Sequence, residues 1–134
     1  MNRHIEHDEQ TAFIQWCLLN THRVPELGLI FSIPNGAMLG GGRIGAIRAN
    51  YLKAEGLRSG VCDLFLPYPR GGFHGMFIEM KQSKGKLSPA QKQFIKDVEK
   101  LEYFTTVCYS ADEAIEQTEY YIHLIRSGYE HSTK

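Results

Sequence analysis

Asp63, Glu79 and Lys81 are the residues of this chain whose types and spacing best suit a chemical task. The run Phe73-His-Gly-Met-Phe-Ile-Glu-Met-Lys81 reads as a strand. Residues two apart on a strand project from the same face, so Glu79 and Lys81 share a side with Phe77, while Met76, Ile78 and Met80 occupy the other. A second strand-like run, Val61-Cys-Asp-Leu-Phe-Leu-Pro-Tyr68, precedes it across the turn Pro69-Arg-Gly-Gly72. Folding this hairpin about Arg70 and Gly71 brings Asp63 opposite Ile78 or Glu79. Two carboxylates and an ammonium group then meet at one end of apolar strands, where uncompensated charge is costly. A hard divalent cation is the simplest compensation. Magnesium prefers oxygen ligands, keeps several waters, and is usually held by one or two carboxylates plus a substrate phosphate. Such an ion polarises a phosphate and lowers the pKa of a bound water. Lys81 would orient that water or offset charge growing at phosphorus, and the Met80 carbonyl is a further candidate ligand. On spacing alone, a purely structural Asp–Lys–Glu ion-pair network competes closely with this reading.

The rest of the chain must position these groups. At 134 residues it reads as one domain, residues 1–134, with a single core. Its 43% hydrophobic and 22% charged content is ordinary for a globular protein. No apolar run approaches the ~20 residues that cross a bilayer, and the polar start Met1-Asn-Arg-His-Ile-Glu-His-Asp-Glu is unlike a signal peptide. No membrane partner and a cytoplasmic address are therefore expected. Cys17, Cys62 and Cys108 lie far apart beside apolar neighbours, which suits three buried thiols better than a disulfide framework or a zinc knot. The six histidines show no metal-binding spacing. Net charge is zero, yet Leu39 to Lys100 carries eleven Lys/Arg against five Asp/Glu, and the remainder four against ten. That polarity suits one cationic face for phosphates, although a charge run is more often a solvated surface.

Residues 5–21 read as a helix, 27–33 as a short strand ended by Pro34-Asn-Gly36, and 43–55 as a second helix closing at Gly56. After the hairpin, Ser88-Pro-Ala-Gln91 is a capping box opening a third helix to about Glu102. Phe104–Cys108 is a fourth strand, and Asp112 to about Arg126 a last helix. The order α-β-α-β-β-α-β-α mixes a hairpin with helix-linked strands, so a mixed central sheet with helices on both faces is expected.

Gly60-Val-Cys-Asp-Leu-Phe-Leu66, Gly75-Met-Phe-Ile-Glu-Met-Lys81 and Gly85-Lys-Leu-Ser-Pro-Ala-Gln91, in that order, resemble the core signature of the VRR-NUC (virus-type replication-repair nuclease) family. Ile33-Pro-Asn-Gly36 and Glu6-His-Asp-Glu-Gln10 are also similar to family segments, so the resemblance spans about residues 5–110. Cys62 departs from it, standing where the family commonly has proline. The family belongs to the PD-(D/E)XK nuclease superfamily. The resemblance therefore implies a restriction-endonuclease-like α/β core, with Asp63 as the aspartate and Glu79-Met80-Lys81 as the (D/E)XK element.

It further implies one more metal-binding acid on the first helix, where Glu6 and Glu9 compete. Phe13, Cys17 and Gln10 fall near Glu6 in helical projection, which favours Glu6. Gln91 is a site-lining residue by resemblance and the reciprocal half of the capping box by position; the two roles can coexist. Lys84 and Lys86 follow the catalytic strand directly, and Arg43, Arg48, Lys53 and Arg58 lie on or near the second helix, so these cations are candidates for gripping DNA. His74 is expected to face away from the site. The resemblance implies a Mg2+- or Mn2+-dependent deoxyribonuclease without a small-molecule cofactor, of the stand-alone phage or prophage type that resolves four-way (Holliday) junctions as a homodimer. The alternatives are action on flaps, nicks or ends by the same mechanism, and a catalytically silent DNA-binding module.

Overall fold

The computed structural model describes residues 2–34 and 40–125, with side chains from residue 6. Its elements are helix α1 (Asn2–Leu19), a 3-10 turn (Pro25–Leu29), β1 (Phe31–Ser32), α2 (Gly42–Ala54), β2 (Leu64–Leu66), β3 (Met76–Met80), α3 (Pro89–Lys100), β4 (Phe104–Cys108) and α4 (Ala111–Ile122). The four strands form one mixed sheet in the order β1-β2-β3-β4, antiparallel except for the β3–β4 pair. The parallel pair is joined through α3, since parallel neighbours need a crossover.

Alternation along β3 sorts the two layers. Met76, Ile78 and Met80 point to one face, where Leu64 and Leu66 join them against Phe13 and Cys17 of α1 and Ala114, Tyr121 and Ile122 of α4. Full burial of such side chains contributes about 1.5–3 kcal/mol each, so this face is the main core. Phe77 and Glu79 point to the opposite face, where Phe94 of α3 meets Phe77 edge-on at 5.2 Å. The helix α3 buries no residue completely, and α2 buries only Gly45. All three cysteines are buried, and burial pushes the Cys17 and Cys62 thiols up to about 12, which leaves them inert.

The hairpin turns at Gly71-Gly72, both at positive φ (58° and 88°), with Arg70 and Phe73 exchanging backbone hydrogen bonds across it. This is the two-residue geometry that matches strand twist and that glycine supplies without strain. Leu64 pairs with Ile78, so one further step places Asp63 opposite Glu79.

Some boundaries differ from the sequence reading. Most of the 27–33 run is not a strand: Pro25 starts a 3-10 turn, and only Phe31 and Ser32 pair with β2. Proline at the first helical position and Gly28 favour a turn over an extended run, despite the apolar composition. The hairpin strands are shorter than the apolar runs that contain them, because Pro67 and Pro69 at one inner end and Gly75 at the other interrupt pairing. The last helix ends at Ile122 rather than near Arg126. The turn expected at Pro34-Asn-Gly36 lies partly outside the described residues.

Candidate active site

Asp63 sits immediately before β2 and is fixed from two sides. Its carbonyl accepts from Ile33 N–H (2.8 Å), and its carboxylate Oδ2 accepts from Met80 N–H (2.8 Å). Opposite it, Glu79 is only 2% exposed. Its Oε2 accepts from Gln91 Nε2 (2.8 Å) and faces Lys81 Nζ at 3.8 Å. Its Oε1 is buried and has no hydrogen-bond partner in the structure. Glu6, from α1, brings a third carboxylate to this end of the sheet, where Oε2 accepts from Gln82 N–H at 3.3 Å.

Burial dominates the electrostatics. It pushes the Glu79 carboxyl up to about 8, with the Asp63 charge adding to the shift and Lys81 opposing it. Asp63 is raised from its ordinary value by burial first. The Met80 N–H bond opposes that rise, the Glu6 charge adds to it, and Lys81 offsets part of it. Lys81 therefore faces two acids held where their charged forms are disfavoured, and the Glu6 charge disfavours both further.

Gln91 is divided between two tasks. Its Oε1 accepts from Ser88 N–H (2.9 Å) while its own backbone N–H donates to Ser88 Oγ (3.1 Å), which completes the capping box. The remaining end of the amide, Nε2, reaches Glu79. Glu9 is elsewhere: its Oε1 accepts from Ala111 N–H (2.7 Å) at the first turn of α4, an orphan donor that the helix itself cannot satisfy. Of the two helix-1 acids, Glu6 is the one brought to Asp63 and Glu79.

The candidate DNA-binding cations Arg43, Arg48, Arg58, Lys84 and Lys86 are all exposed. Arg58 stacks over Phe94 at 5.8 Å, on the Glu79 side of the sheet. Lys84 lies in a turn closed by Gly85 N–H to Gln82 O (2.8 Å), with its own φ at +69°, a conformation that glycine or asparagine would adopt more easily. His74 is at the other end of β3, packed edge-on against Tyr103 at 5.4 Å. A contribution not read from sequence is Gly60: at φ +86°, a Cβ there would lie 2.6 Å from the Ala90 carbonyl carbon. Its bare backbone lets the segment leading to Asp63 lie against the start of α3. The positive φ has no marker in sequence beyond the glycine itself.

A family model described as the VRR-NUC domain matches residues 33–112, more than half of the chain. The chain belongs to the VRR-NUC family. A solved structure described as a VRR_NUC domain protein superposes on this VRR-NUC chain with a TM-score of 0.73 at 26% identity, covering 90% of each chain. No curated protein matches the sequence. The fold is thus of nuclease type, and the matched region carries Asp63, Glu79, Lys81 and Gln91.

A divalent metal, general in VRR-NUC nucleases, fits the residues present. Glu79 Oε1 is a buried acceptor without a donor, beside a second carboxylate. Among the described residues, no three His, Cys, Asp or Glu side chains close into a ready-made cage. Magnesium needs none, because water and substrate oxygen complete its shell around one or two carboxylates.

Proposed function

We propose that this protein is a Mg2+- or Mn2+-dependent structure-selective endonuclease that hydrolyses phosphodiester bonds in branched DNA, four-way junctions foremost. The observation that carries this reading is the unpartnered Oε1 of buried Glu79 beside the Asp63 carboxylate. Leaving such an oxygen dry costs about 1–3 kcal/mol, more for a charged group, unless a cation takes it up. In this reading Asp63, Glu79, the Met80 carbonyl and Glu6 hold the metal. When bound, the metal supplies Lewis-acid activation of phosphate and water. Lys81 orients the attacking water, Gln91 fixes the Glu79 carboxylate, and Arg43, Arg48, Arg58, Lys84 and Lys86 hold the DNA backbone.

A homodimer would set two such sites on one junction. In support, α2 exposes Ile44, Ile47 and Tyr51. These fall within about 60° in helical projection and face away from the inward Gly45 side, a stripe that a second copy would cover. The deciding experiment is incision of a synthetic four-way junction with and without magnesium, run beside flap, nicked and linear DNAs. Metal-dependent cutting that prefers the junction is expected. Preference for a flap, nick or end would keep the mechanism and change the substrate. Binding without cutting, in either metal, would leave a silent binding module.

A further inference from the structure

Strand register aligns Phe31 of β1, Phe65 of β2 and Phe77 of β3 in one row on the Glu79 face of the sheet. The rings touch in series, 5.8 Å between Phe31 and Phe65 and 4.5 Å between Phe65 and Phe77. The adjoining row on the same face is Ile33, Asp63 and Glu79. The aromatic row is closed at its β3 end by Phe94 and open at its β1 end, where Phe31 is 49% exposed. Strand spacing and rise put the Phe31 and Asp63 Cα atoms about 8 Å apart, close to one nucleotide step along an unstacked strand. Arg58, over Phe94, gives this face a cation.

A lone exposed phenylalanine needs no explanation. One that ends a continuous aromatic row, a single row from two acids suited to a phosphate-bound metal, has a ligand class that matches it: a flat base on an anionic backbone. We infer that Phe31, backed by Phe65, is a stacking platform for an unpaired nucleobase next to the scissile phosphate. This deepens the proposed nuclease reading and rests on it. It specifies that the bound substrate has at least one unpaired nucleotide at the cutting centre, as a flap already has and as a four-way junction would gain by opening a base pair at its branch point. Stacking on an aromatic side chain discriminates a base from no base but not one base from another, so the preference is structural rather than sequence-specific.

The test is binding measured in EDTA, where nothing is cut. Fluorescence anisotropy compares a labelled oligothymidylate with an oligomer of the same length and charge carrying abasic sites. The native protein is expected to prefer the base-bearing oligomer by about fivefold or more, and Phe31→Ala to lose that preference while its affinity for the abasic oligomer stays unchanged. Phe31→Trp should retain the preference, and its added indole emission should be quenched by the base-bearing oligomer alone. Equal binding of the two oligomers by the native protein, an unaltered preference in Phe31→Ala, or an equal loss for both oligomers would overturn the platform. If Phe31→Ala fails to fold, the Phe31→Trp quenching decides alone, and its absence counts against the inference. Asp63-dependent cutting without base preference would sink only this inference; base preference without any cutting would sink only the nuclease reading.

Discussion

The two oxygens of Glu79 live in different surroundings, and that asymmetry organises the site. Oε2 is held by Gln91 and faced by Lys81, while Oε1 has no partner. Asp63 has one oxygen tied to Met80 N–H, so each acid keeps an oxygen outside the hydrogen bonds described. Asp63→Ala should abolish cleavage while DNA affinity stays within a few-fold, because the metal is lost and the cations are not; residual cutting in a gel assay would remove Asp63 from the mechanism. Gln91 permits a sharper separation. Gln91→Ala removes both its bonds and should lower stability by about 1 kcal/mol as well as activity. Gln91→Glu keeps an acceptor for Ser88 N–H but sets a carboxylate against Glu79, so stability should fall less than activity. Parallel losses of melting temperature and rate in both variants would make Gln91 a cap alone. Its double task was legible in the sequence, since the capping box and the family motif both name it. The choice between Glu6 and Glu9 was only half legible. Helical projection placed Glu6 with Phe13 and Cys17, but nothing local to α1 announces that Glu9 is taken by the first turn of α4, a partner 102 residues away.

At the scale of elements, the site depends on where three chain segments enter it. The β2–β3 register puts Asp63 across from Glu79, and the sequence came within one residue of it: folding about Arg70 and Gly71 left Ile78 or Glu79 as the partner, and the Arg70–Phe73 turn is itself offset by one residue from the Leu64–Ile78 ladder. The 27–33 segment was misread for a physical reason: its apolar residues satisfy a strand pattern, while the Pro25 and Gly28 that bend it act through backbone geometry. Only Phe31 and Ser32 remain to pair with β2. The approach of residues 60–62 to α3 was not legible, because Gly60 shows its purpose only against the Ala90 backbone. A methyl group there would sit 2.7 Å from the Ala90 carbonyl oxygen, on a residue already at φ +86°. Gly60→Ala should therefore destabilise the protein by about 2 kcal/mol or more, combining left-handed strain with a backbone clash. It should also depress cleavage beyond the loss of folded protein, since Asp63 lies three residues on. Denaturant unfolding with a midpoint unchanged from the native protein would show that α3 and this segment yield freely.

For the molecule as a whole, zero net charge conceals the features that matter. The +6 carried by residues 39–100 and the −6 elsewhere separate in sequence, and the exposed cations lie on α2, beside α3 and in the loop after β3. If five of them meet phosphates, DNA affinity should fall by roughly two to three orders of magnitude between about 50 and 200 mM salt, and Lys84→Ala should reduce the logarithmic slope by about one. A flat salt dependence would remove the cationic face. The acidic cluster makes a separate demand on the folded state. Burial raises the Glu79 carboxyl from 4.5 to about 8, and Asp63 shifts in the same direction. Between those values the metal-free folded protein retains a proton that the unfolded chain has released. Stability contributed by that proton is full below pH 4.5 and is lost as pH rises towards 8. The metal-free protein should therefore melt lower at pH 8 than at pH 6, apart from any change that Glu79→Gln shares. Magnesium should recover most of the loss at pH 8, because a bound cation replaces the proton as the partner of the charged carboxylates and binds only the folded arrangement. Glu79→Gln, which has no proton to lose, should flatten both the pH dependence and the magnesium effect. Melting curves in EDTA and in magnesium at the two pH values check this. A native protein whose melting temperature ignores magnesium at pH 8 would mean that the acids at the end of the sheet are neutralised by something other than a metal.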